Sequence, residues 1–179
     1  MLISGSVLAQ GRALADEDEW QIAGRAGVAS AVVDGRDPLG VGAGTTLQYG
    51  LNDTWSARVS VGGGLQRVSV DTNQHRPGGN IWSYTGFVGI GYSMDVLRLL
   101  PTFEVGLGVL GIAGAVKSSH MALGMQLGIG ADYLLTPRFS VGATAQYVFA
   151  PFDLLSNVLT GDQVPKAFAF SARATWTLR

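Results

Sequence analysis

From Val41 the chain alternates, with Val41, Ala43, Thr45, Leu47, Tyr49 and Leu51 on one parity and Gly42, Gly44, Thr46, Gln48 and Gly50 on the other. A period of two marks a strand, because successive side chains point to opposite faces. The next segment divides the same way, Trp55, Ala57, Val59, Val61 and Leu65 against Ser56, Arg58, Ser60, Gly62, Gly64 and Gln66. Met121–Tyr133, Phe139–Phe149 and Phe168–Leu178 repeat it, and weaker alternation over Trp20–Val33, Ile81–Met94 and Thr102–Val116 brings the set to eight. Turn-forming clusters separate them at Asp34–Pro38, Leu51–Thr54, Asp71–Asn80, Asp95–Pro101, Lys117–His120, Thr136–Arg138 and Pro151–Lys166. Eight strands and seven connections predict an all-β, antiparallel up-and-down meander.

The two faces decide where such a sheet resides. A soluble barrel or sandwich puts bulky apolar residues inward and charge outward. Here the non-apolar face is Gly, Ser, Thr and Gln with few charges, too small and too uncharged for a solvated exterior. The opposite face is apolar over segments close to the roughly 9–11 residues that a tilted strand needs to cross a bilayer. Both faces are satisfied by a transmembrane β-barrel of the outer-membrane type, apolar toward lipid and polar toward a narrow interior. Eight strands leave an interior only wide enough for side chains to fill, which gives small residues there a reason. Closure also pairs every backbone amide, which an open sheet in lipid cannot do.

Composition narrows the alternatives. Of 179 residues 47% are hydrophobic and only 14% charged, and 26 are glycine, which argues against helical bundles. The longest uncharged apolar stretch, Val105–Val116, is interrupted by Gly106, Gly108, Gly111 and Gly114, so a helical span is disfavoured. Twelve Lys and Arg against 13 Asp and Glu give a net charge of −1, so nucleic acid is not an expected partner. With no cysteine and two distant histidines there is no disulfide framework and no metal ligand set, and no cofactor is expected. Residues 1–15 carry an apolar run, Leu2–Ala9, and an Ala13-Leu14-Ala15 triplet before an acidic cluster. They read as the remnant of a secretory signal, and 16–179 as the barrel domain.

Aromatic positions follow strand ends. Trp20, Tyr49, Trp55, Tyr92, Phe103, Tyr133, Phe139 and Trp176 fall at one end of the barrel on the lipid-facing parity, as an interfacial girdle does. Trp82, Tyr84, Tyr147, Phe149, Phe168 and Phe170 gather toward the other rim. Parity also places Arg25, Arg58, Glu104, Asp132 and Arg173 in the lumen, within a few residues of the girdle. Charges at that depth need partners. The expected arrangement is a network in which the arginines bracket Glu104 and Asp132, with Gln48, Gln126 and Gln146 as neutral hydrogen-bond partners. Such a network is either a plug that gates a pore or polar filling that fixes register.

The units Gln48–Trp55 and Ala131–Gly142, each strand, turn and strand, resemble those of the small outer-membrane β-barrel superfamily, which includes the transmembrane domain of outer membrane protein A and single-domain relatives. The resemblance spans roughly residues 20–179 and implies a bacterial outer-membrane location and a monomer. It also implies contact with membrane lipid, including the lipopolysaccharide leaflet, and passage through the barrel-assembly machinery. The superfamily's topology puts both termini and the turns at Asn52–Thr54, Asp95–Pro101 and Thr136–Arg138 in the periplasm. Members end on an aromatic residue, whereas this chain ends Trp176-Thr177-Leu178-Arg179.

Enzymes of this class, lipid A deacylases and palmitoyltransferases, use a His with a Ser and a carboxylate near the outer rim. His120 follows Ser118 and Ser119, and His75 lies beside Arg76, but neither has the His-x-Ser spacing on a strand. In the last loop Leu154, Leu155, Val158 and Leu159, with Phe152 before them, form one short amphipathic turn that is a candidate contact surface or a cap on the barrel mouth. The reading is a non-enzymatic envelope component or surface scaffold. The alternatives are a narrow conduit for small, hydrophobic solutes and, further off, a lipid-modifying enzyme.

Overall fold

A computed structural model describes residues 18–32, 37–69, 78–115, 120–150 and 166–178. Residues 1–17, with the expected signal remnant at 1–15, most of the four long connections and the loop residues Phe152, Leu154, Leu155, Val158 and Leu159 lie outside the described residues. Each alternating segment forms a strand: β1 (Trp20–Val32), β2 (Leu39–Gly50), β3 (Trp55–Val68), β4 (Gly79–Ser93), β5 (Leu99–Gly114), β6 (His120–Thr136), β7 (Phe139–Phe149) and β8 (Lys166–Leu178). Every strand pairs antiparallel with its sequence neighbour, and β1 pairs with β8 to close the barrel. One end, the turn end, carries the connections 51–54, 94–98 and 137–138 together with the starts of β1 and the finish of β8; the long connections emerge at the other, the loop end.

The tight turns have local causes. Asn52 Oδ1 accepts from the backbone N–H of Thr54 at 2.9 Å and of Trp55 at 2.8 Å, an Asx turn that launches β3. Between β4 and β5 the turn is shorter than the Asp95–Pro101 cluster suggests. Val96 and Leu99 exchange two backbone hydrogen bonds of 3.1 Å, so β5 starts at Leu99 and takes in Pro101. Proline suits that position because only its carbonyl is required, accepting from Met94 N–H at 3.0 Å. Strands also extend into other expected connections, at Gly79–Asn80, His120, Thr136 and Lys166, because a partner strand continues the ladder past the local turn signal.

Outward side chains form the apolar belt: Val41, Val59, Val61, Val88, Leu107, Leu123 and Ile129 are all exposed. On that face Tyr84 lies across Gly111, whose Cβ would come within 2.0 Å of the ring, an aromatic covering a strand glycine. The inward face departs from the expected small and polar lining. At the turn end it is polar apart from Ala23 and Leu100, but in the loop-end half Ala31, Val68, Ile81, Phe87, Leu110, Ile112 and Val148 pack into one buried cluster. This explains the weak alternation of the segments that became β4 and β5, where both faces carry apolar residues: one packs inside, the other meets lipid.

Belt and core therefore tolerate different changes. Val88→Arg puts a charge at mid-belt and is expected to lower the unfolding free energy in lipid vesicles by about 2–4 kcal/mol. Urea titration of the refolded protein, followed by heat-modifiable gel mobility and circular dichroism, reads the change. Stability equal to that of the unaltered protein would place Val88 away from the bilayer core.

Candidate functional site

Closure brings the five lumen charges into two interlocked pairs and one remainder. Arg58 on β3 donates through Nη1 to Glu104 Oε2 at 2.9 Å and through Nε to Ser56 Oγ at 3.1 Å. Glu104 Oε1 accepts from Gln126 Nε2 at 3.2 Å and from Gln146 Nε2. On the other side Arg173 grips Asp132 with both Nε, at 3.0 Å to Oδ1, and Nη2, which also donates to Thr102 Oγ1 at 3.2 Å. Charge-assisted, two-point contact of this kind fixes geometry as well as energy. Gln48 is not part of the carboxylate network; its amide donates to Gln21 Oε1. Arg25 acts on Glu104 through its charge but forms no ion pair or hydrogen bond with it among the described residues.

Glycines make room for these groups. A Cβ on Gly91 would fall 2.1 Å from Arg58 Nε, one on Gly128 2.3 Å from Glu104 Cγ, and one on Gly142 2.2 Å from Asp132 Oδ1. Gly91 and Gly128 are the register partners of Glu104 on its two sides, and Gly142 sits between Asp132 and Arg173. The alternation of the sequence does not single out these three glycines. Their spacing carries a signal only once register is known. Above the network Gln66 donates to Ser83 Oγ at 3.2 Å, and its buried Oε1 finds no hydrogen-bond partner among the described residues.

The eight aromatic residues of the expected girdle all stand at the turn end. Trp20 and Tyr49 meet at a centroid distance of 4.9 Å, Trp55 and Tyr92 at 5.0 Å, and Phe139 and Trp176 at 5.8 Å. Each couple is a directly opposed cross-strand pair. At the loop end Tyr147 and Phe149 stack at 5.7 Å. Of the two histidines, His120 opens β6 and His75 lies outside the described residues. Among the described residues no cluster of His, Cys, Asp or Glu is suited to a metal ion.

A closed eight-stranded barrel with a polar, ion-paired interior and an apolar exterior is a recognisable architecture, and residues 1–177 match the outer membrane protein beta-barrel domain family. The chain belongs to that family. Its place is therefore the bacterial outer membrane, with the exposed belt in contact with the bilayer. No curated protein matches the sequence. Among solved structures, the barrel is similar to Neisserial surface protein A at 16% identity and a TM-score of 0.64, covering 88% of this chain and 96% of that one. It is similar to Ail, the attachment invasion locus protein of Yersinia pestis, at 15% identity and a TM-score of 0.56, covering 90% and 99%. The outer membrane enzyme PagL also matches, at 14% identity and a TM-score of 0.50 over 87% and 98%. These likenesses show the fold, and the fold serves surface proteins and an enzyme alike.

In this outer-membrane barrel a concavity of about 540 Å³ is lined mainly by outward apolar residues, among them Phe103, Val105, Leu127 and Ile129, with Glu104 and Gln146 also on its wall. The chemistry lies inside. Glu104→Ala leaves Arg58 buried without its partner and is expected to cost about 3–5 kcal/mol in vesicle unfolding. Replacing both partners, Arg58→Met with Glu104→Leu, should recover most of that loss, because an apolar pair needs no counter-charge. Gly91→Ala should also destabilise although it removes no charge. A Gly91→Ala protein as stable as the original would mean that the Arg58–Glu104 pair moves freely.

Proposed function

We propose that the protein is a non-enzymatic component of the outer membrane, a monomeric structural element or surface interaction scaffold, with both chain ends and the short turns on the periplasmic side. The observation that carries this reading is the double filling of the lumen. The turn-end half is occupied by the Arg58–Glu104 and Arg173–Asp132 pairs with their glutamines, and the loop-end half by the apolar cluster around Phe87, Ile81, Leu110 and Ile112. An ion crossing the barrel meets a desolvated apolar layer and then two ion pairs whose charges cancel, with Arg25 as the one lumen charge left over among the described residues. Polar filling that holds register, rather than a gate, accounts for that arrangement. The surface roles named for the Neisserial surface protein and for the attachment protein of Yersinia pestis support a task carried by the loop end.

An enzymatic reading needs a His, a Ser and an acid together at the outer rim. The carboxylates carried on strands, Glu104 and Asp132, both face the lumen in the turn-end half, away from His120 at the start of β6. Planar-bilayer recording in molar potassium chloride should show no discrete conductance steps for the refolded protein, and incubation with lipid A should release no fatty acid. Regular steps would favour the narrow conduit, and turnover abolished by His120→Ala would favour the enzyme.

A further inference from the structure

Nine inward positions lie along one hydrogen-bonded row of the barrel: Leu100, Asp132, Gly142, Arg173, Arg25, Gly44, Gly62, Thr85 and Leu110 on consecutive strands. At its centre Arg173 and Arg25 are directly opposed, two like charges side by side, and they lean apart. Arg173 reaches over Gly142 to Asp132. Arg25 reaches the other way over Gly44 and Gly62; a Cβ on Gly44 would lie 2.8 Å from its Nε, and one on Gly62 3.1 Å from its Nη2 and 3.2 Å from Thr85 Oγ1. In each half glycine separates the arginine from the next polar residue, one glycine on the Arg173 side and two on the Arg25 side, but one arginine meets a carboxylate there and the other a hydroxyl.

The wall that Arg25 faces is kept open. A lumen cavity of about 60 Å³ lies against it, bordered by Gly42, Gly62, Gly64, Ser83, Thr85 and Ser171. That is room for about four water-sized centres. The Ser83 and Ser171 hydroxyls border the same cavity as Arg25, and Thr85 Oγ1, which donates to Gly62 O at a long 3.5 Å, would exchange that contact for one into the cavity. The lumen holds three arginines against two carboxylates among the described residues, and both carboxylates are engaged, by Arg58 and Arg173. Arg25 feels the charge of Glu104 but makes no direct ion pair with it, and a part-buried guanidinium without a partner in contact is costly unless an anion joins it.

We propose that this cavity is a binding site for a small monovalent anion, of the size of chloride or formate, held by Arg25 and the hydroxyls of Thr85 and Ser83 where the other half of the row has Asp132. The site is a pocket in the lumen and is separate from the scaffold role argued above.

The test uses the full chain refolded in zwitterionic detergent, with Tm read by heat-modifiable mobility in chloride, formate and gluconate salts at equal ionic strength. Chloride and formate should raise Tm saturably over gluconate, which is too large for the cavity. Arg25→Gln should abolish the dependence. Thr85→Glu places an internal carboxylate opposite Arg25 and should raise Tm in gluconate while removing any response to chloride. Broadening of the chlorine NMR line by the original protein, reversed by formate and absent with Arg25→Gln, gives a direct measure of occupancy. Equal Tm in all three salts, a chloride response that survives either substitution, or line broadening unaffected by Arg25→Gln would overturn the proposal.

Discussion

Backbone hydrogen bonding in a medium without water is the constraint from which the rest of this structure follows. Each unpaired amide in hydrocarbon costs several kcal/mol, on the order of the whole stability margin of a domain, so the sheet must close. Closure through the β1–β8 ladder removes both edges. It also sets the diameter, since an eight-stranded ring has an interior that side chains must fill. Every inward residue is thereby judged by volume and by whether its polar atoms find partners, while every outward residue is judged only by its affinity for lipid.

The lumen answers those demands in two ways along its axis. Toward the loop end it is packed as a small apolar core that includes Phe87, and toward the turn end it is packed with ion pairs. The division is economical in side-chain volume because each large charged group is set against a glycine: Gly91 under Arg58, Gly128 beside Glu104, Gly142 beside Asp132. A buried ion pair is weak evidence of net stability, yet it discriminates strongly between registers. Sliding one strand by two residues keeps the inward face inward but separates each charge from its partner and its glycine. Specific pairing is thus the feature that distinguishes the native register from near neighbours that an alternating pattern alone permits.

Membership of the outer membrane protein β-barrel family identifies the membrane and the architecture, and surface proteins and an enzyme share that architecture. What differs between them has to be sought in the lumen and at the loop end. In this chain the lumen is notable for unequal halves of one hydrogen-bonded row, with Arg173 answered by Asp132 and Arg25 answered by Thr85. That asymmetry is a property of cross-strand register and has no counterpart in any contiguous motif.

The alternation of Val41–Leu51, Trp55–Gln66, Met121–Tyr133, Phe139–Phe149 and Phe168–Leu178 was sufficient by itself to determine strands, their faces and the transmembrane barrel, because parity is a local property that each segment carries alone. The inward placement of Arg25, Arg58, Glu104, Asp132 and Arg173 was legible for the same reason. Strand ends were less so: Leu99–Pro101 and Thr136 look like turn residues until a neighbouring strand extends the ladder over them. The apolar filling was hidden because Ile81, Phe87, Leu110 and Ile112 weaken the alternation of their own segments, and a residue's neighbours across the lumen are separated from it by most of the chain. Which arginine meets which carboxylate, and which is left over, was decided only by the tertiary structure. Pairing depends on register and on the lean of each side chain across the ring, and those exist only once the eight strands have closed.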